Sequence, residues 1–89
     1  MTVREHIASK LMNLAHSGLT VFKTSDIQEL SYVGKEEFGK YLGSPGSYTR
    51  EFRRMRTDGI LRVRKLDRKN RQQVWALHEV QTSFPNDVI

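Results

Sequence analysis

The sequence predicts an α+β fold of three to four helices followed by a small antiparallel β-sheet. Three observations carry this expectation. Apolar residues recur at helical spacing up to Met55 and alternate at strand spacing after Gly59. Glycines at 18, 43 and 59 each follow an apolar-periodic run, where a left-handed stop is wanted. At 89 residues the chain can build one core and not two, so a single domain over 1–80 and a tail over 81–89 are expected.

Thr2 and Glu5 form a Ser/Thr-x-x-Glu capping box, and Val3, Ile7, Leu11, Leu14 and Ala15 then share one helical face up to Gly18. Leu19 to Phe22 is a short β-type run that needs a partner later in the chain. Ser25 with Gln28 suggests a second capping box and a short helix over 26–30, with 31–34 as a connection. Phe38, Tyr41 and Leu42 at i, i+3, i+4 predict a helix over 35–42, ended by Gly43. The Ser44-Pro45-Gly46-Ser47 stretch is rich in turn and cap residues and opens a helix over about 47–58, starting at Pro45 or Ser47. Ile60 to Leu66 and Gln72 to Glu79 read as strands around a polar turn at 67–71. Trp75 and Leu77 share the face that closes the core.

Charge is concentrated in the same region. Residues 50–71 hold ten Lys/Arg against three acids, a balance of +7, while the remaining five basic and seven acidic residues give −2, and the sum is the whole-chain +5. A field so localised attracts polyanions, of which nucleic acid is the commonest in a cell. On a helical wheel Tyr48, Phe52 and Met55 fall within about 60° of one another. Arg50, Arg53, Arg54 and Thr57 fall opposite, with Thr49 at the margin. Arginine can fork onto phosphate oxygens or onto the two major-groove acceptors of guanine. In the first strand Arg62 and Arg64 alternate with Leu61 and Val63, so they point away from the core. The turn adds Arg68, Lys69, Asn70 and Arg71, and Ser47 and Thr49 stand near the N-terminus of the helix, where backbone N–H groups also favour phosphate. The same charges would serve a merely solvated helix face or an ordinary polar turn. Their coincidence on a helix and a neighbouring hairpin favours a binding surface.

The run from Phe38 through Leu42-Gly43-Ser44-Pro45-Gly46-Ser47 to Met55 resembles the helix-turn-helix of bacterial and phage transcription regulators. Asp58-Gly59-Ile60-Leu61 resembles the lead into the wing of winged-helix proteins, and Trp75-Ala76-Leu77 its return strand. The resemblance covers roughly 35–79 and names a superfamily, the winged helix-turn-helix, through degenerate motifs. It implies a double-stranded DNA-binding protein that regulates transcription, with the 47–58 helix in the major groove and the 60–79 wing on the backbone or in the minor groove. The segment 24–34 departs from the pattern by lengthening the path into the helix-turn-helix, and it leaves open which helix takes the second position.

Other chemistries find little support. Without cysteine there is neither a disulfide framework nor a thiolate metal site, and His6, His16 and His78 have no ligand spacing. Glu36-Glu37 reads as a first-turn charge preference, not an acid–base pair. Tyr48 and Trp75 read as core, not as base-stacking platforms. No enzyme, cofactor, signal peptide or membrane span is expected, and the expected location is cytoplasmic and DNA-associated. A homodimer through the first helix or the tail stays open. The alternative function is an adaptor that offers the same basic face to an acidic protein of the transcription or replication machinery. RNA binding is a third reading, without an RNA-specific module in its favour.

Overall fold

The computed structural model describes residues 1–18, 20–69 and 72–81, with the side chains of 67–69 and 72 outside that description. The elements are α1 (Val3–His16), β1 (Val21–Lys23), α2 (Thr24–Phe38), α3 (Pro45–Thr57), β2 (Leu61–Lys69) and β3 (Gln72–Val80). Three helices pack on an antiparallel three-stranded sheet of order β1-β3-β2. The α+β class expected from the sequence is thus present.

The predicted capping box closes α1. Glu5 N–H donates to Thr2 Oγ1 at 3.1 Å, and Thr2 N–H donates to Glu5 Oε1 at 2.9 Å. Two helices expected over 26–30 and 35–42 are instead one continuous α2, so residues 31–34 are helix and not a connection. Its inward positions are Ile27, Ser31 and Gly34. Two of these three are small, because large side chains of the neighbouring helices occupy the space. A Cβ on Gly34 would stand 3.2 Å from both His6 Cε1 and Tyr48 Oη. Ser31 is fully buried and its hydroxyl donates to the Gly43 carbonyl at 2.7 Å. The N-terminus of α2 is closed by Asp26, whose Oδ2 accepts from Lys23 N–H at 2.8 Å, and not by Ser25. The helix stops at Gly39, left-handed at φ +72, four residues before the expected Gly43. Tyr41 and Leu42 therefore lie outside it, and Tyr41 is exposed. Glu36 and Glu37 fall near the end of α2 instead of in a first turn. Glu37 accepts a hydrogen bond from the Lys10 ammonium, which lowers its pKa.

Ser44 caps α3 by accepting the Ser47 N–H at 3.1 Å, and the helix begins at Pro45, the earlier of the two starts read from the sequence. Gly59 at φ +77 turns the chain toward β2. The expected stripe of Tyr48, Phe52 and Met55 is buried and meets Ile7, Ala8 and Leu11 of α1, Phe22, Ile27, Leu61, Trp75 and Leu77. The Phe52 ring stands edge-to-face with Phe22 and Trp75, with centroids 5.7 and 5.5 Å away. The Trp75 indole N–H donates to Thr24 Oγ1 at 2.9 Å, which satisfies the polar end of a buried aromatic.

The β2 strand runs to Lys69, paired with Gln72, so 67–69 extend the strand where a turn was expected. Asn70 and Arg71 lie outside the described residues. Arg62 pairs with Glu79 but Val63 pairs with Leu77, which leaves His78 as an extra residue in β3.

His6 is buried, its Nδ1 2.6 Å from Tyr48 Oη, while its Nε2 has no hydrogen-bond partner among the described residues and faces Glu37 Oε2 at 3.8 Å. Burial pushes its pKa down, against a smaller upward pull from Glu37 and with a further downward push from Lys10. The folded state therefore prefers neutral His6, whereas an unfolded histidine takes up its proton near pH 6.5. This contribution to stability is full above that pH and is lost as the pH falls through it toward the lower folded value. Urea unfolding across pH 5 to 8 should show the decline, and His6→Phe should flatten it; an unchanged profile in the variant would place the dependence elsewhere.

Candidate functional site

The basic residues of α3 owe their exposure to the helix phase. With Tyr48, Phe52 and Met55 turned inward, Arg50, Arg53, Arg54 and Thr57 are all exposed, as the wheel predicts. Thr49 is half-buried. Thr49 Oγ1 donates back to the Pro45 carbonyl at 3.2 Å and Thr57 Oγ1 to the Arg53 carbonyl at 3.1 Å, so both hydroxyl protons are committed to the helix itself. Ser47 Oγ lies 3.0 Å from the capping Ser44 Oγ. These three hydroxyls shape the helix more than they present donors outward.

The two acids of the helix flank are engaged by a residue of α1. Arg4 Nε donates to Glu51 Oε1 at 2.5 Å and Arg4 Nη2 to Asp58 Oδ2 at 2.9 Å. The Glu51 hydrogen bond raises the Arg4 pKa above its ordinary value, partly offset by desolvation, and Asp58 adds to the rise. Arg54 Nη1 stands 3.8 Å from Glu51 Oε2, a loose contact for a side chain 64% exposed. Arg4 was not among the residues singled out from the sequence. Its distance of 47 residues from Glu51 hides the pairing from any local pattern.

Arg56 was also missed. Its guanidinium lies 4.1 Å from the Trp75 ring centroid and 5.9 Å from that of Phe52, a cation held over two aromatic rings. The i, i+4 spacing from Phe52 is visible in the sequence, but the more intimate Trp75 contact depends on tertiary structure. Arg56 places positive charge on the flank of α3 that faces β2, opposite the acidic flank covered by Arg4.

In the ladder Leu61 is buried and Val63 half-buried, while Arg62 and Arg64 are exposed, as alternation predicts. Arg62 Nη1 donates to Glu79 Oε2 at 3.3 Å across the strands. Lys65 is exposed and pairs with Trp75, so it shares the helix-facing side of the sheet, the opposite side from Arg62 and Arg64. Arg68 and Lys69 have their backbone in β2, their side chains outside the description, and Asn70 and Arg71 fall outside the described residues altogether. The two basic segments meet at a cleft lined by Arg56 and Thr57 of α3, Leu61, Arg62 and Val63 of β2, and His78.

Among the described residues no three of His, Asp or Glu converge as a metal site would require, and no helix is long and apolar enough to cross a membrane. No protein-family model, curated protein or solved structure matches the chain.

Proposed function

We propose that this chain is a winged helix-turn-helix protein that binds double-stranded DNA and regulates transcription, the last of these by the resemblance alone. In this reading α2 and α3 are the two helices of the motif and β2–β3 is the wing. At about 1.5 Å per residue, the thirteen residues of α3 make a rod roughly 20 Å long, and a major groove about 12 Å wide admits a helix. Arg50 and Arg53 then reach base edges or phosphates, and the ladder lies on the backbone or in the minor groove.

The observation that carries the reading is the sorting of charge around α3. Its aromatic stripe is buried, its two acids are held by Arg4, and its remaining surface presents arginine. An approaching phosphate backbone meets cations before carboxylates.

The test is a fluorescence-anisotropy titration of mixed-sequence duplex and single-stranded DNA at two or more salt concentrations. Six to eight phosphate contacts would give a logarithmic salt slope of about −5 to −7 on duplex. Retention of single strands in preference to duplex would instead favour a strand-binding role. Failure to retain either would turn the basic face into a docking surface for an acidic protein, to be sought by pull-down.

A further inference from the structure

The register of the sheet sorts its apolar residues into two sets. Phe22, Leu61, Trp75 and Leu77 face the helices as part of the core, with Val63 and Val80 packed against it. Val21, Leu66, Val74 and Ala76 alternate with these along their strands and so face the other way. Cross-strand pairing assembles this second set. One row reads Val21–Ala76–Arg64 and the next Lys23–Val74–Leu66. Apolar side chains therefore run diagonally over all three strands, and a cation stands at each of the two remaining corners.

The outward face of an antiparallel sheet is ordinarily polar, giving a clean alternation along each strand. Here it is polar only at its margins. Val21 is 54% exposed, while Leu66, Val74 and Ala76 are half-buried. Neither Lys23 nor Arg64 makes an ion pair among the described residues. The neighbouring Arg62 is paired with Glu79 at 3.3 Å, so three cations against one acid leave these positions at +2. The apolar patch measures about 10 Å across the strands and about 7 Å along them, room for the apolar stripe of a two- to three-turn helix.

We propose that this outward face docks an acidic amphipathic helix of a partner protein. Its apolar stripe lies on the Val21–Ala76–Val74–Leu66 diagonal, and carboxylates on its two flanks meet Arg64 and Lys23. A second copy of this chain fits less well, because two such faces bring +2 against +2. A nucleic-acid backbone has nothing to offer the apolar diagonal. Anionic membranes take up amphipathic surfaces through large side chains that insert, and of the four apolar residues only Val21 is more than half exposed. The face is turned away from α3, whose buried stripe packs on the opposite side of the sheet. Partner and duplex can therefore be held at once, and the proposal stands apart from the duplex reading. It gives Arg64 to the partner and leaves α3 and the Lys65 side of the wing to DNA.

The test is a ¹H–¹⁵N NMR titration of the full chain with a synthetic helical peptide of about eighteen residues, leucine along one face and glutamate on both flanks. Two control peptides replace either the leucines or the glutamates by glutamine. The amphipathic peptide should shift the amides around Val21, Lys23, Arg64, Leu66, Val74 and Ala76 and leave those of α3 unmoved. A patch of this size should bind in the micromolar range, as weak interfaces do. V21E and R64E should each weaken the peptide about fivefold or more. Both positions are exposed, and the variant spectra report whether the fold is kept. V21E should retain wild-type duplex affinity. Equal binding of the leucine-free peptide would reduce the contact to charge and overturn the docking row. Peptide shifts centred on α3, or none at about 1 mM peptide, would overturn it as well. So would duplex-induced shifts on this face, which would return it to the DNA surface. Nuclear Overhauser contacts from residues 82–89 in the free protein would assign the face to the chain's own tail. Retention on phosphatidylserine vesicles, lost in R64E and without peptide binding, would assign it to a membrane.

Discussion

Reversing two charges on the exposed face of α3, R53E/R54E, should reduce duplex affinity by on the order of a hundredfold or more at about 0.1 M salt. The substitution changes the charge of residues 50–71 by −4, from +7 to +3, and turns the centre of the helix face from attractive to repulsive. Both side chains are exposed, and Arg54 has only the loose Glu51 contact to lose. Exposed pairs of this kind contribute about 0–1 kcal/mol, so thermal unfolding should move by a few degrees at most. Anisotropy and a melting curve on the same sample separate the two effects. Near-wild-type affinity in a folded variant would take α3 out of the interface.

Phe52→Ala should have the largest effect on stability, about 3–5 kcal/mol. Phe52 is buried between Phe22 and Trp75, and its ring is also within reach of the Arg56 guanidinium. Its truncation leaves a cavity where α3, β1 and β3 meet. A domain of this length has roughly 4–13 kcal/mol in total, so urea unfolding should begin at far lower denaturant. Tyr32→Ala is the matched control. That ring is 56% exposed, and its removal should cost about 0.5 kcal/mol or less. Equal midpoints for the two variants would mean that the aromatic cluster does not hold the helix to the sheet.

Features set by local chemistry were readable from the sequence. The Thr2–Glu5 cap, the Tyr48–Phe52–Met55 stripe, the outward arginines of α3 and the Leu61–Val63 alternation all follow from residues a few positions apart. Features set by what lies opposite were not. The middle of α2 looks like a break because its inward side shows serine and glycine, and hydrophobic periodicity cannot register a face whose partner supplies the bulk. Tyr41 and Leu42 have helical spacing from Phe38, but Gly39 ends the helix first. The covering of Glu51 and Asp58 by Arg4, the seating of Arg56 on Trp75 and the extra residue at His78 all depend on long-range pairing. As a result, the outward-facing part of the candidate surface was legible, and the contacts that arrange its flanks were not.

The central position of β3 also imposes an order of events during synthesis. Both other strands hydrogen-bond to β3 and not to each other. A nascent chain that has reached only residue 71 can form helices but has no partner for either strand. The basic strand β2 is then a free edge, open to pairing with other chains. Trp75 arrives with β3, so Arg56 gains the closer of its two aromatic contacts only once that strand has been made. The surface we propose for DNA is therefore assembled only after β3 has emerged, however early the helix that carries its arginines is made.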